Sequence, residues 1–467
     1  MIIVRLVLLL IRRRKRMKKK LWIIATIFVL AIGSLLAMNG EVTGAKKGKD
    51  NNAYPNNGKV KNVIVMIGDG MGPSYPTAYR YMKDDPSTPQ MEKTVFDKHL
   101  VGMATTYADD PEENITDSAA AATSMSAGIK TYNGAIAVDT KRNEVETVLE
   151  VAKKKGKSTG LVATSQINHA TPAAFGAHDE SRRNYNDIAD DYFDEMINGE
   201  HKVDIMLGGG TDYFDREDRD LIEEFEEDGY NYVDDKEEML ENENDKLLGL
   251  FAPVGLPKAI DREDSPSLEE MTTTALEQLS KNKDGFFLMV EGSQIDWAGH
   301  ANDSVSAMSE MEDFAKAFET VIEFAMKDKH TQVVLTADHS TGGFSIGRDG
   351  EYNMNPEAIK AAERTPEFMA EEVIGGEEVE EVLDEYADLD FTEEEISAIQ
   401  QAAETEDFDK VYAAISEVFN VRAGIGFTTS GHTGVDVPVY AYGPKSEVFS
   451  GLIDNTDIAN EVFNFLK

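Results

Sequence analysis

The chain contains no cysteine. That absence removes disulfides, thiolate metal ligands, a cysteine nucleophile and lipid attachment at an N-terminal cysteine. Any metal must be held by imidazole, carboxylate and hydroxyl groups. Positive charge is scarce as well: 46 Lys and Arg face 87 Asp and Glu. Nine of the cations fall in residues 1–40, which hold no Asp or Glu, so the remainder sets 37 cations against 87 anions, a net charge near −50. Such a surface repels a phosphate backbone and argues against nucleic-acid binding. It suits solubility in salty or alkaline surroundings.

Long apolar runs are also few. One stretch, residues 21–38, follows the basic cluster Arg12-Arg13-Arg14-Lys15-Arg16 and Lys18-Lys19-Lys20. A basic segment followed by an apolar one is the pattern of an export leader, with Met17 as a second candidate start. Small residues at Thr43-Gly44-Ala45 suit cleavage there. The alternative is an uncleaved membrane anchor, because the run approaches the roughly 20 residues that span a bilayer. We expect a leader at 1–45, a polar linker at 46–61 and a catalytic domain at 62–467, secreted or held at the cell surface.

With 41% hydrophobic residues the remainder has a globular composition, large enough for one big core or two medium domains. Short Val/Ile/Leu/Phe runs predict strands at 62–67, 159–164, 204–207, 285–290, 331–336 and 437–442. Continuous apolar runs are expected of strands buried on both faces. Amphipathic stretches at 144–155 and 304–326 predict helices between them. The alternation implies an α/β fold with a mostly parallel sheet flanked by helices. Two acidic stretches, 215–247 and 355–421, carry little strand signal and read as helical insertions on the rim or as plain surface hairpins.

Polar residues follow the strands. Gly68-Asp69-Gly70-Met71-Gly72 follows the first, and Glu291-Gly292-Ser293-Gln294-Ile295-Asp296 with Trp297 and His300 follows 285–290. Ala337-Asp338-His339 follows 331–336. Sites in open α/β sheets lie at the carboxyl ends of strands, so three strands deliver carboxylates and imidazoles to one edge. Five of the eight histidines (His169, His178, His300, His339 and His432) fall in such segments, too many for isolated core or surface histidines. In Thr116-Asp117-Ser118-Ala119-Ala120 we expect Thr116 to cap a helix and Ser118 to lie in its first turn, where backbone N–H groups bind anions. An Asp-Ser pair beside alanines is common by chance, and Ser118 gains weight only next to metals that can activate a hydroxyl.

Taken in order, these motifs resemble the alkaline phosphatase family from about residue 61 to 442. His169-Ala170-Thr171-Pro172-Ala173, Ser181-Arg182, Thr336-Ala337-Asp338-His339 and Gly431-His432-Thr433-Gly434 complete the set. The resemblance implies hydrolysis of small phosphate monoesters through a phosphorylated Ser118, two zinc ions and one magnesium, and a homodimer. It implies Asp296, His300 and His432 as ligands of the first zinc, and Asp69, Asp338 and His339 as those of the second. Asp69, Thr171 and Glu291 would hold magnesium, and Arg182 would grip phosphate. Asp117, His169 and Trp297 would stand just behind the ligands. His169 and Trp297 replace an aspartate and a lysine of some bacterial members, while His178 is left outside the ligand set. Related phosphodiesterases, sulfatases and cofactor-independent phosphoglycerate mutases share the metal-binding Asp and His but differ at the nucleophile and anion clamp. An inactive, acidic metal-binding surface protein is the reading from a different class.

The charge imbalance generates the first prediction. Close to fifty uncompensated negative charges repel one another in the compact state, and molar salt, with a Debye length near ~3 Å, screens them. The melting temperature should rise from low to molar sodium chloride; a steady fall would contradict it.

Overall fold

The buried strands form because each is a run of β-branched and aromatic side chains with partners on both faces. A computed structural model of the chain describes residues 58–467. The leader expected at 1–45 and most of the linker at 46–61 lie outside the described residues. In chain order the main sheet contains β1 (Asn62–Gly68), β2 (Leu100–Thr105), β3 (Ser158–Gln166), β4 (Ile205–Gly209) and β5 (Asn231–Val233). It continues with β6 (Leu247–Leu250), β7 (Phe286–Gly292), β8 (Thr331–Ala337), β9 (Val437–Tyr442) and β10 (Gly451–Asp454). Across the sheet the order is β10-β2-β9-β8-β1-β7-β3-β4-β6-β5. Only β9 runs against its neighbours, β8 and β2; every other pairing is parallel. Helices flank the sheet, so the expected α/β architecture is borne out.

All six strands read from the sequence are present. The other four are short or lie toward an edge. β2 is half exposed along its length, and β10 pairs with it through Gly102 and Gly451, so neither shows a continuous apolar run. β5 lies within the acidic 215–247 stretch, whose helices Leu221–Glu227 and Lys236–Glu241 hide a three-residue strand from any charge count. That segment therefore extends the sheet itself. The 355–421 stretch is helical, and Pro366–Gly375 packs on Phe408–Ala423, with Met369, Ala370, Ile415 and Phe419 buried on the two helices. The helix expected at 144–155 begins at Val148, because Thr147 and Glu150 form a capping box and Glu144 bridges to Val138 instead.

The 25-residue helix Ser304–Asp328 supports the carboxyl edge. The Asp303 carboxylate caps it by accepting from the backbone N–H groups of Val305 and Ser306 at 2.8 and 3.0 Å. Phe314 on this helix lies under the last residues of β1 and β7. A Cβ placed on Gly68 or Gly292 would come within 3.0 or 2.8 Å of its ring. Burying such a ring stabilises by roughly 2–3 kcal/mol and fixes the floor of the edge where Asp69 and Glu291 emerge.

The same helix carries Asp313, which accepts from Arg262 Nη1 at 2.7 Å, with side-chain exposures of 7% and 3%. Asp313 also accepts from Leu268 N at 3.2 Å, at the start of the next helix. Asp313→Ala leaves the buried Arg262 guanidinium without its carboxylate, with only the Pro257 and Pro266 carbonyls to accept from it, and leaves the Leu268 N–H unpaired. The expected loss is about 3–5 kcal/mol in denaturant unfolding. A loss below about 1 kcal/mol would mean that water reaches the pair.

Candidate active site

Strand ends and the turns behind them bring the candidate residues together. Asp69 follows β1 directly. Gly70 then adopts φ +71°, and a Cβ on it would lie 2.7 Å from Asp296 Cα. Only glycine lets these two backbones approach so closely. β7 ends in Glu291-Gly292, and the following helix, Gln294–His300, sets Asp296 and His300 one turn apart on one face. Asp338 and His339 leave β8. A two-residue antiparallel bridge pairs Thr341 with His432 and carries that imidazole in from the far end of the chain.

Three groups of side chains result, each with its potential ligand atoms within 4.8 Å of one another: Asp296, His300 and His432; Asp69, Asp296 and His339; and Asp69, His169 and Glu291. His300 Nε2 lies 3.2 Å from Asp296 Oδ2, and His432 Nε2 3.7 Å from Asp296 Oδ1. His339 Nε2 is 3.1 Å from Asp338 Oδ2, 3.5 Å from Asp69 Oδ1 and 3.2 Å from Ser118 Oγ. Asp69, Thr171, Glu291, Asp338 and His339 are fully buried.

The ring nitrogens are oriented by their partners. His300 Nδ1 donates to Ser430 O at 2.5 Å and His432 Nδ1 to Thr116 O at 3.0 Å. Those two bonds turn both Nε2 atoms toward each other, 3.2 Å apart. Both Nε2 atoms therefore converge on one point beside Asp296, where either a proton or a metal cation can sit between them. His339 Nδ1 donates to Thr341 Oγ1 at 3.2 Å, and the Thr341 hydroxyl donates to Asp296. Thr341 thus couples two of the groups. No sequence pattern marked it, because its role depends on a strand bridge with a residue far along the chain.

Electrostatics give the same indication. Burial raises Asp69 well above the usual carboxylate range, and the charges of Asp338, Asp296 and Glu291 add to the rise. Burial lifts Glu291 to about 7; burial and then the Asp296 charge lift Asp338 to about 6. Asp296 is held low despite burial, by the His300 hydrogen bond and the surrounding imidazoles. His300 is raised in turn to about 9, chiefly by its bond to Asp296. Four carboxylates are buried here and only Asp296 is answered by a charged imidazole, so the other three are pushed toward their protonated forms.

Ser118 opens the helix Ser118–Ala127 and is almost fully buried. The cap is Asp117 and not Thr116. Asp117 takes extended backbone and accepts from Ala120 N at 2.9 Å, while the Thr116 hydroxyl donates to Asp117 O. The second carboxylate oxygen of Asp117 accepts from Arg182 Nη1 at 3.0 Å. Arg182 Nη2 lies 3.2 Å from His169 Nε2. Arginine can only donate, so that nitrogen is an acceptor and the ring is neutral. Burial, reinforced by the Arg182 charge, keeps His169 uncharged down to about 3.

Trp297 stands edge-on to His169, with ring centroids 6.0 Å apart and planes at 82°. Its other neighbours escaped the sequence reading. Lys258 Nζ lies 5.3 Å from the indole, and a Cβ on Gly255 would come within 2.5 Å of the ring. His178 is not part of the three groups above. It packs between Val145 O and Glu195, behind the turn that leads to Arg182. A cavity of about 460 Å³ opens beside His300, His432 and Asp117. A larger one of about 550 Å³, lined by Arg262 and Glu312 among others, contains none of these residues.

Comparison with known proteins supplies the family. The alkaline phosphatase family profile matches residues 60–467. Alkaline phosphatase 3 of Bacillus subtilis is 59% identical, over 97% of this chain and 98% of its own. A cold-active alkaline phosphatase from the psychrophile Shewanella superposes with a TM-score of 0.81 at 42% identity, over 87% of this chain and 100% of that one. A variant of the alkaline phosphatase from the Antarctic bacterium TAB5, with a histidine replaced by glutamate and Mg bound in its M3 site, gives a TM-score of 0.66 at 30% identity, over 88% of this chain and 98% of that one. The chain therefore belongs to the alkaline phosphatase family and is an enzyme that hydrolyses phosphate monoesters.

Proposed function

We propose that the enzyme acts through a phosphoserine at Ser118, with two zinc ions and one magnesium held at the sheet edge. Asp296, His300 and His432 would hold one zinc, Asp69, Asp338 and His339 the other, and Asp69, Thr171 and Glu291 the magnesium. The observation that carries this reading is a set of buried polar atoms without a hydrogen-bond partner in the protein: both Asp69 carboxylate oxygens, Asp338 Oδ2, Glu291 Oε1 and Thr171 Oγ1. Orphaned buried oxygens cost roughly 1–3 kcal/mol each, and a divalent cation is the partner that satisfies several at once. The nitrogen and carboxylate sets suit zinc, and the all-oxygen set suits magnesium. Bound there, the ions would supply Lewis-acid polarisation and charge neutralisation.

The chain's own groups account for the rest. Ser118 Oγ bonds to phosphorus as the ester P–O bond breaks and the alcohol departs. Water then cleaves the Ser118–phosphate bond, releasing phosphate and restoring the hydroxyl. The first helical turn offers backbone N–H groups to the phosphoryl oxygens, and Arg182 can fork onto two of them. Asp117 ties these elements together, with one oxygen on the helix and the other on the arginine. Positioning of this kind dominates phosphoryl transfer. The reading extends to a homodimer that is exported behind the 1–45 leader, as the resemblance implies.

Hydrolysis of p-nitrophenyl phosphate should be lost to a chelator and restored by zinc plus magnesium, and rates on diesters and sulfate esters should be low. Ser118→Ala should abolish phosphoenzyme formation and most turnover while zinc content stays near that of the parent, because Asp69, Asp338 and His339 remain. Burst kinetics that survive the substitution would overturn the assignment.

The third site generates a separate prediction. Neutral His169 brings no charge to the oxygens proposed for magnesium, and imidazole favours zinc. Trp297 cannot donate a charged hydrogen bond toward phosphate. The enzyme should need added magnesium, lose activity to excess zinc and release phosphate readily. His169→Asp with Trp297→Lys should tighten magnesium binding, measured by calorimetry, and strengthen phosphate inhibition. The TAB5 variant with glutamate for a histidine, which holds Mg in its M3 site, supports this direction. An unchanged magnesium requirement would overturn it.

A further inference from the structure

The 460 Å³ cavity has an unusual wall for an enzyme whose substrates are anions. Its lining includes no lysine or arginine. On one side lie His300 and His432; on the other runs the strap 112–117, with Glu112, Glu113 and Ile115 exposed to the cavity. Of the carboxylates in the wall only Asp117 pairs with a lysine or arginine among the described residues, Arg182 at 3.0 Å.

The strap is fixed in place. Backbone N–H groups of Glu112 and Glu113 donate to Asp110 Oδ1 at 2.9 and 3.2 Å. Asn133 donates to Ile115 O at 2.9 Å and accepts from Asp117 N at 2.9 Å. Thr116 O receives His432 Nδ1. The two glutamates are thus held in register with both the nucleophile's helix and the imidazole pair.

In-line displacement places the departing oxygen opposite the attacking one. The cavity adjoins His300 and His432 on one side and Asp117, the partner of Arg182, on the other, so the alcohol of a phosphate held between Ser118 and Arg182 has this cavity to extend into. On that basis, which rests on the phosphoserine reading above, we propose that the strap selects the alcohol half of the substrate. Monoesters of short alcohols that carry an ammonium group are preferred, and those whose alcohol carries a carboxylate or a second phosphate are disfavoured. The phosphate meets Arg182 and the helix N–H groups, and the ammonium meets Glu112 and Glu113. Charge pairs at such solvated range are screened, so the effect is modest and salt-dependent.

The test uses the metal-loaded enzyme and two isosteric ligands that do not turn over, 3-aminopropylphosphonate and n-butylphosphonate, with dissociation constants from calorimetry at low salt. The ammonium compound should bind about 3–10-fold tighter. The exposed double substitution Glu112→Gln/Glu113→Gln should bring the two within about 1.5-fold, as should 1 M sodium chloride, where the Debye length is ~3 Å. The ratio of kcat/KM for phosphoethanolamine over n-propyl phosphate should fall in parallel. Inorganic phosphate affinity and p-nitrophenyl phosphate turnover should stay unchanged in the variant, which also reports that it folds. Equal affinities in the parent, or a preference that survives the double substitution or molar salt, would overturn the proposal. Loss of phosphate binding and turnover in the parent would instead overturn the reading on which it rests.

Discussion

Four carboxylates, Asp69, Glu291, Asp296 and Asp338, are buried at one edge of the sheet, and no lysine or arginine forms an ion pair with any of them among the described residues. Burying one ionised carboxylate is costly, and burying four together multiplies that cost by mutual repulsion. The fold brings them there through rigid elements: β1, β7 and β8 lie side by side, Glu291 stands in the end of β7, Asp69 and Asp338 follow β1 and β8 directly, and the helix after β7 carries Asp296. Each strand is hydrogen-bonded to a neighbour on both sides, β8 to the antiparallel β9 on one of them, so the carboxylates cannot relax apart. The sheet thereby builds a demand for cations into its own edge, and everything else in the site is arranged around that demand.

The imidazoles answer part of it through orientation. Two of them spend their Nδ1–H on backbone carbonyls, of Ser430 and Thr116, and the third spends its own on Thr341. Every Nε2 is therefore aimed inward by its ring's other nitrogen, which reduces the reorganisation that ion binding requires. Thr341 is anchored in turn, since its carbonyl accepts from Tyr75 Oη at 2.9 Å and its backbone N–H donates to Gly70 O at 3.1 Å. The glycine that allows close approach at residue 70 is thus also the residue that fixes the relay.

The sheet's centre was legible because buried parallel strands are written as uninterrupted apolar runs, and the site because carboxylates and imidazoles follow those runs directly. The edge strands were not. β5 has three residues within an acidic stretch, and β2 has an exposed face, so neither differs from loop by composition. The cap at Asp117 was misplaced by one residue, since Thr116 and Asp117 are both good caps and only backbone geometry distinguishes them. Thr341, Asn133, Gly255 and Lys258 were invisible for a different reason. Each acts through a neighbour distant in the chain, and nothing local to the residue records that pairing.

A protein carrying so many negative charges nonetheless receives a dianionic substrate, and screening explains how. At physiological ionic strength the Debye length is ~8 Å, so most of the acidic surface is not felt at the reacting phosphorus. What the substrate experiences is the first few ångströms: Arg182, the opening turn of the Ser118 helix, the sheet-edge groups and whatever cations they hold. Arg182 keeps N–H donors available for that role because its partner Asp117 contacts it through one oxygen only, the other being committed to the helix cap. A bidentate pair would neutralise the guanidinium more completely and occupy both forks. Sharing one carboxylate between a helix terminus and an arginine therefore positions the clamp without quenching it. The net charge of the chain can then be set by solubility and surroundings while the charge of the site is set by a handful of contacts.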